Sequence, residues 1–326
     1  SHIPPAVAIA TIKVDELFVF ADISVMKDTK EFMAAEAVKM NGAAVGVPTR
    51  NLQFRHPEEV PRYFAYNGSV VGTTLKAVFS AIFPPGERFF VESVRHFRDQ
   101  VKDPVLKAKI TGFIGQESMH GREHESLNEW FEKRGFDMAF PEAQIKFSLW
   151  LCERFSPSQQ LAITTLAEHF TAHLAEEWLT HEEFRGSTHA EMLKLWTWHG
   201  IEELEHKEVA YDLLQLVSKD EHLERILAVP IILTCMVPGI LASWTYLIAR
   251  EGKLFDLPRN LSDLWALFKP GGFLMNVLVQ MPQFLMKDFH PNQHDTTALV
   301  ERYRQEYFSE KGIVAQEYKN RPQAAG

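Results

Sequence analysis

Two stretches of this chain repeat at helical spacing and place ionisable groups where a helix should be most apolar, and few folds accommodate that. One stripe reads Leu106, Ile110, Phe113 or Ile114, Glu117, His120, His124, Leu127, Phe131. The other reads Met192, Leu195, Trp196, His199, Glu203, His206, Ala210, Leu213 or Leu214. Residues three and four apart share one face of an α-helix, so three ionisable side chains in each stripe point inward with the apolar ones. Burying unpaired carboxylates and imidazoles costs several kcal/mol each. A metal is the partner that would use all of them together.

The spacing agrees with a metal. Glu117-x-x-His120 and Glu203-x-x-His206 are i, i+3 pairs, whose side chains lie on the same side of a helix. Such pairs also arise by chance, so their weight comes from lying on the apolar faces of two different long helices. Two more helices flank them. The period predicts a first helix over 69 to about 101, interrupted at Pro84, Pro85 and Gly86, and a second that Asp103 caps with Pro104 at its first position. A third begins near Ser156, after a short apolar segment over 142–154, and the fourth begins near Ser187. Stepping back three from Phe90 on the line of Val94, Phe97 and Val101 lands on Glu87, whereas Glu92 falls with Arg95, His96 and Asp99 toward solvent. On the third helix Glu168 follows Leu161 and Thr165 and precedes Ala172, Ala175 and Leu179, small residues that leave room for an ion. Glu177, His169 and His173 lie on neighbouring lines and stay open as alternatives.

One glutamate from each of two helices plus a Glu-x-x-His from each of the other two is the ligand set of dinuclear carboxylate proteins built on four-helix bundles. The expected fold is therefore all-α: a ferritin-like four-helix bundle over 69–218, preceded by an irregular wrap over 1–68 and followed by apolar helices and a polar tail over 219–326. The wrap is expected to hold a β-leaning stretch at 17–23 and a short helix at 29–40.

In order, Glu87, Glu117-x-x-His120, Glu168 and Glu203-x-x-His206 resemble the ferritin-like di-iron oxidase and oxygenase superfamily. His199 extends the last pair to His-x-x-x-Glu-x-x-His, which is similar to the arylamine N-oxygenase branch, where an extra histidine joins the cluster. The strings FPPGERFF, FIGQESMHGREH, LAEHFTA, WHGIEELEHKEVAYD and DFHP resemble, more closely, the bacterial family named "predicted metal-dependent hydrolase", from about 60 to about 291. The resemblance implies metal-site positions at Glu87, Glu117, His120, His124, Glu168, His199, Glu203 and His206. His124 departs from the simple di-iron set and stands open as ligand or outer donor.

Oxygen and nitrogen ligands without thiolate suit iron or manganese better than zinc, so two iron ions are expected, with manganese or a mixed pair as alternatives. The expected function is an oxidase or oxygenase that activates O2 toward an apolar, aromatic or acyl substrate. The alternative is a hydrolase in which the same ions act as Lewis acids and generate hydroxide. A metal store is disfavoured, because no acidic entry channel or cage-forming motif is readable.

Charge and cysteine content narrow the rest. With 34 Lys and Arg against 43 Asp and Glu, the net charge of −9 lacks the basic footprint of a nucleic-acid binder. Cys152 and Cys235 cannot build a disulfide framework or a thiolate zinc site. AVAIA is too short for a signal h-region, and the expected location is cytoplasmic, with membrane association open. No charged residue falls between Arg225 and Arg250, a length that can span a bilayer. Spanning, membrane-surface contact and a buried or homodimer-facing helix all remain open there. A further apolar stretch at 273–286 is too short to span, and the charged tail from Thr297 is expected on the surface. Trp196, Trp198 and Tyr211 read as packing residues, and His290, which has no periodic context, stays open as a cap over the site.

Overall fold

Each long helix starts where a polar side chain can accept its first free N–H groups. In the computed structural model, which describes residues 40–319, Ser69 accepts from Gly72 at 3.0 Å and opens α1, Val70–Arg95. Asp103 accepts from Val105 and Leu106 ahead of Pro104 and opens α2, Pro104–Lys133. After α3, Ala139–Cys152, Ser156 accepts from Gln159 ahead of Pro157 and opens α4, Pro157–Thr180. A single turn, α5, Glu182–Gly186, leads to α6, Ala190–His206, and α7, Val209–Val217. Among the described residues there is no β-strand; Leu52 and Tyr318 form an isolated antiparallel bridge. The expectations at 17–23 and 29–40 lie outside the described residues, save for Met40.

Three boundaries differ from the sequence reading. Pro84 and Pro85 do not interrupt α1. Proline lacks an N–H and frees the carbonyl four residues earlier; Asn128 of α2 donates to Ser80 O at 3.1 Å and replaces the bond that Pro84 cannot make. The helix then ends at Arg95 instead of 101, leaving one 3-10 turn, Arg98–Gln100. The fourth helix begins at Ala190, with His189 as its cap, and breaks at Lys207 and Glu208 before α7.

Helices α1, α2, α4 and α6 form a closed circuit of contacts, α1 against α2 and α4, α6 against α4 and α2. Two apolar cores occupy this circuit. One holds Leu75, Val78, Leu127, Phe131, Ala175, Leu179, Leu195 and Trp198; the other holds Phe90, Val94, Ile110, Phe113, Leu161 and Leu166, joined by Leu213 of α7. On α1, α2 and α4 the ionisable stripe residues fall between the two.

The outer segments are more deeply engaged than a wrap and a tail. Residues 40–68 bury Val47, Leu52, Phe54, Val60 and Phe64, and the turn Gly42–Val45 seats on α2 at Gly112, where a Cβ would lie 2.3 Å from Val47 O. The apolar stretch forms two helices, α8, Glu221–Cys235, and α9, Val237–Arg250, broken at Met236 just ahead of Pro238. They lie along α4, α3 and α1, where Trp244 donates to Val71 O at 3.0 Å. Together they are long and apolar enough to cross a membrane by length and composition. Beyond them come α10, Leu257–Phe268, α11, Phe273–Gln280, and α12, Thr297–Phe308. The tail helix α12 is not a surface appendage: Val300, Tyr303 and Tyr307, spaced along one face, are buried, and Tyr303 donates to Leu179 O at 2.7 Å.

Candidate metal centre

The polar layer brings seven of the eight expected positions together. Glu87 comes from α1, Glu117 and His120 from α2, Glu168 from α4, and His199, Glu203 and His206 from α6, all buried. Three overlapping groups have ligand atoms within 4.8 Å of one another: Glu87, His120 and His199; Glu117, His120 and Glu203; Glu117, Glu168 and His206. His206 Nε2 lies 3.0 Å from Glu117 Oε1 and 3.3 Å from Glu168 Oε2. His199 Nε2 meets Glu203 Oε1 at 2.9 Å and lies 3.8 Å from Glu87 Oε1. The rings of His120 and His199 stack with centroids 4.0 Å apart.

Most of these inner atoms make no hydrogen bond. Both carboxylate oxygens of Glu87, Glu117 and Glu168, together with Glu203 Oε2, His120 Nδ1 and His206 Nε2, are buried without a protein partner. Buried polar atoms are normally satisfied. Nine orphans converging on one interior layer match the donor set of a cation site, since lone pairs that avoid each other's N–H groups can all face an ion.

The outward nitrogens, by contrast, are all engaged. His120 Nε2 pairs with Glu202 Oε2 at 2.9 Å, His206 Nδ1 with Gln116 Oε1 at 2.9 Å, and His199 Nδ1 with His124 Nε2 at 2.8 Å. Metal-ligating histidines characteristically use the second ring nitrogen this way, which fixes the tautomer and the ring plane. His124 is the eighth expected position, the one left open as ligand or outer donor. Its other nitrogen contacts Ser80 Oγ at 3.1 Å, so both are occupied and His124 stands behind His199.

Behind the histidines lies a charged support that the stripes did not reveal. Arg50 donates to Glu202 at 2.7 Å and to both oxygens of Glu205 at 2.7 and 2.8 Å. Glu205 also accepts from Gln116 at 2.7 Å and from Arg304 of α12 at 2.6 Å. The only hint in the sequence was the EELE run itself, three glutamates in four residues on a buried helix.

Electrostatics follow from four carboxyls in a dry space. Burial and the carboxylates of Glu117, Glu203 and Glu168 push Glu87 well above the usual range. Burial likewise raises Glu117 against the pull of His206, and pushes Glu168 up to about 7. Burial opposes charge on Glu203 too, but the hydrogen bond with His199 and the nearby His206 imidazole hold it well below the ordinary value. His206 is held well above its ordinary value despite burial, because Glu168, Glu117 and Glu203 face it. His120 and His124 are pushed well down by burial and the neighbouring His199. When protons are the only cations, the layer keeps some of them; a metal ion would compete for the same oxygens.

A cleft reaches the layer from outside. A cavity of about 310 Å³ ends on Glu87 and Glu117, with Arg88, Arg95, Arg122, Glu92 and Glu125 along its sides. Gly121 opens this approach, for a Cβ there would lie 3.1 Å from Glu87 Oε2. Through Pro84, Arg88, Glu92 and Glu125 it continues into an outer cavity of about 620 Å³ that Glu129, Glu132, Glu142 and Glu153 also line. An acidic approach therefore exists, although the sequence showed none. On the opposite side a cavity of about 30 Å³ touches His199 and Glu203 between Phe83, Leu174, Trp178, Trp196 and Phe273. Lys76 also lines it, its Nζ 3.6 and 3.9 Å from the Trp178 and Trp196 ring centroids, and burial pushes its ammonium well below the usual value.

The remaining candidates lie elsewhere. His290 pairs with Asp212 at 3.1 Å and does not cap the layer. Tyr211 is a core residue that donates to Phe289 O. Glu177 accepts from Asn276 at 3.0 Å, and His169 faces Gln280 O at 3.3 Å. His173, Glu176 and His294 form a second group of metal-ligand spacing, but Glu176 already pairs with His294 at 2.7 Å, and it works as a latch between α4 and the segment before α12.

Fold and site together define an all-helical protein with a buried carboxylate and histidine cluster of metal-ligand spacing. The profile of the family described as "Predicted metal-dependent hydrolase" matches residues 48–295. The chain belongs to that family. Comparison with curated proteins and with solved structures finds no match.

Proposed function

We propose that this chain is a hydrolase with two divalent cations held in the polar layer of a ferritin-like bundle. The observation that carries the reading is the set of nine buried inner atoms without hydrogen-bond partners. Glu87, His120 and His199 would hold one ion, Glu168 and His206 the other, with Glu117 and Glu203 shared between them. Four carboxylates balance the charge of two divalent ions, and an oxygen-rich set with imidazoles favours iron or manganese over zinc. Bound there, the ions supply Lewis acidity and lower the pKa of water. The chain's own residues do the rest. Glu202, Gln116 and His124 orient the three imidazoles, and the two apolar cores keep bulk water from the layer's other sides. The cleft admits water and a polar substrate to the edge at Glu87 and Glu117.

A second reading, O2 activation by a di-iron pair, rests on the 30 Å³ cavity beside His199 and Glu203, which is apolar on most sides and large enough for a diatomic molecule. Metal analysis and an anaerobic assay separate the two. For hydrolysis, protein with about two ions per chain cleaves a carboxyl or phosphate ester under nitrogen, and Glu117→Gln abolishes the cleavage. For oxygen chemistry, colourless ferrous protein develops visible absorption on mixing with O2 and leaves esters intact. A chain that retains no metal after exposure to iron, manganese and zinc overturns both.

A further inference from the structure

Helix α10 buries Leu267 together with two polar side chains and leaves an apolar stripe outside. Asn260 and Asp263 occupy its buried face at 8% and 6% exposure, whereas Leu257, Leu261 and Trp265, at i, i+4 and i+8, are 55%, 62% and 65% exposed. The polar side is well satisfied. Asp263 accepts from Ser69, the cap of α1, and pairs with Arg259 at 3.2 Å, while Asn260 donates to Lys253 O at 2.7 Å and Leu254 O at 3.3 Å. These bonds fix which face points outward, so the apolar stripe has no inward alternative. Phe255, in the turn just before the helix, is 88% exposed. Helix α11 packs on α10 and adds exposed Leu278 and Val279. An exposed apolar face of this kind marks an interaction site.

The charges around it identify the occupant. Arg250, Lys253, Arg259 and Lys269 flank the stripe. Of the acidic residues in the same span, Glu251 is held by Arg62 and Tyr63 and Asp263 is buried, which leaves Asp256 exposed. A chain of net charge −9 thus places four basic side chains beside a surface where leucine, phenylalanine and tryptophan stand in water. Apolar side chains with tryptophan on one face and Lys or Arg around them are the pattern of a helix lying in a membrane interface.

We propose that α10 and the turn before it dock this protein on an anionic lipid surface, with Phe255, Leu257, Leu261 and Trp265 entering the interface and Lys253 and Lys269 facing the headgroups. The test is flotation of the full-length, metal-loaded protein with vesicles of phosphatidylcholine alone and of phosphatidylcholine mixed with phosphatidylglycerol. The expected result is flotation with the mixed vesicles, weakened by salt. Phe255→Ser with Trp265→Ser lowers the bound fraction on the order of tenfold or more, at an unchanged thermal midpoint because both side chains are exposed. Lys253→Gln with Lys269→Gln lowers affinity severalfold on the mixed vesicles only. Protein that stays unbound with both vesicle types, or a Phe255, Trp265 double variant that floats like the parent, overturns the proposal. Equal flotation on both vesicle types overturns the anionic preference. A vesicle-free dimer that the same double variant dissociates shows that a second copy covers the face, and also overturns it.

Discussion

Midway along α1, α2, α4 and α6 the interior holds four glutamates and three histidines, whereas the exterior of α10 and the turn before it holds leucines, a phenylalanine and a tryptophan. Both regions run against the usual distribution of polar and apolar side chains, in opposite senses. In both, the surrounding contacts fix the orientation: outer hydrogen bonds to His120, His199 and His206 in one case, the bonds of Asn260 and Asp263 in the other. The difference lies in what would complete each. An inner layer of lone pairs calls for cations; an outer apolar stripe calls for a medium that does not have to be water. The latch of His173, Glu176 and His294 is the internal control, since its carboxylate is already paired and nothing further is needed.

Removing a shared ligand should have the largest effect. Glu117→Ala would take an oxygen donor from both proposed ions, and metal affinity should then fall by more than the roughly 10–100-fold typical of outer-partner substitutions. Metal retained after dialysis against a chelator, read by elemental analysis, checks this, and hydrolysis should fall to background with it. Full retention of two ions would mean that the layer is held by its protons and not by metal.

Next comes the support behind the layer. Arg50→Ala leaves Glu202 and Glu205 buried with fewer cationic partners, and breaking a buried pair costs about 3–5 kcal/mol. Arg304 still reaches Glu205, whereas Glu202 keeps its hydrogen bond with His120. Denaturant melts of metal-loaded protein should show the loss, and Arg50→Lys should recover only part of it, because lysine cannot span both carboxylates as a fork.

How far these features could be read from the chain depended on whether a signal was local. Glu87 was separable from Glu92 because the period of Phe90, Val94 and Phe97 decides which one faces inward. The Glu-x-x-His pairs were equally legible. Arg50 and Arg304 were not, for they reach Glu205 from opposite ends of the described chain and no periodicity joins them. The passage of α1 through Pro84 and Pro85 depends on Asn128, a donor on another helix. The wheel of α10 shows two faces but cannot say which is buried; Ser69 decides that by bonding Asp263.

A pH series sharpens the inner half of the comparison. Glu168 is raised from its ordinary 4.5 to about 7 in the folded chain, so between those values the folded state binds more protons than the unfolded one, and stability must fall as pH rises. Metal-stripped protein should lose on the order of 3 kcal/mol from this group across that window. His206, also raised, acts in the same direction above its ordinary 6.5. Glu203, held low, loses its contribution only on acidification below about 4.5. Metal-loaded protein has its oxygens committed to cations and should not show the loss. Thermal midpoints with and without metal should therefore diverge from pH 5 to pH 8; parallel curves would remove the case for a shared site on these carboxylates.

The smallest effect tests the outer half. Leu261→Ser changes a side chain that stands mostly in water in the isolated protein, and surface substitutions away from buried features move stability by about 0.5 kcal/mol or less. Its thermal midpoint should match that of the parent, whereas a leucine truncated inside either apolar core, such as Leu127→Ala, should cost about 2–5 kcal/mol. A fall for Leu261→Ser as large as that for Leu127→Ala would show that the stripe is covered by protein in the isolated molecule. Equal midpoints with better solubility in the serine variant would show that water is the wrong neighbour for this face.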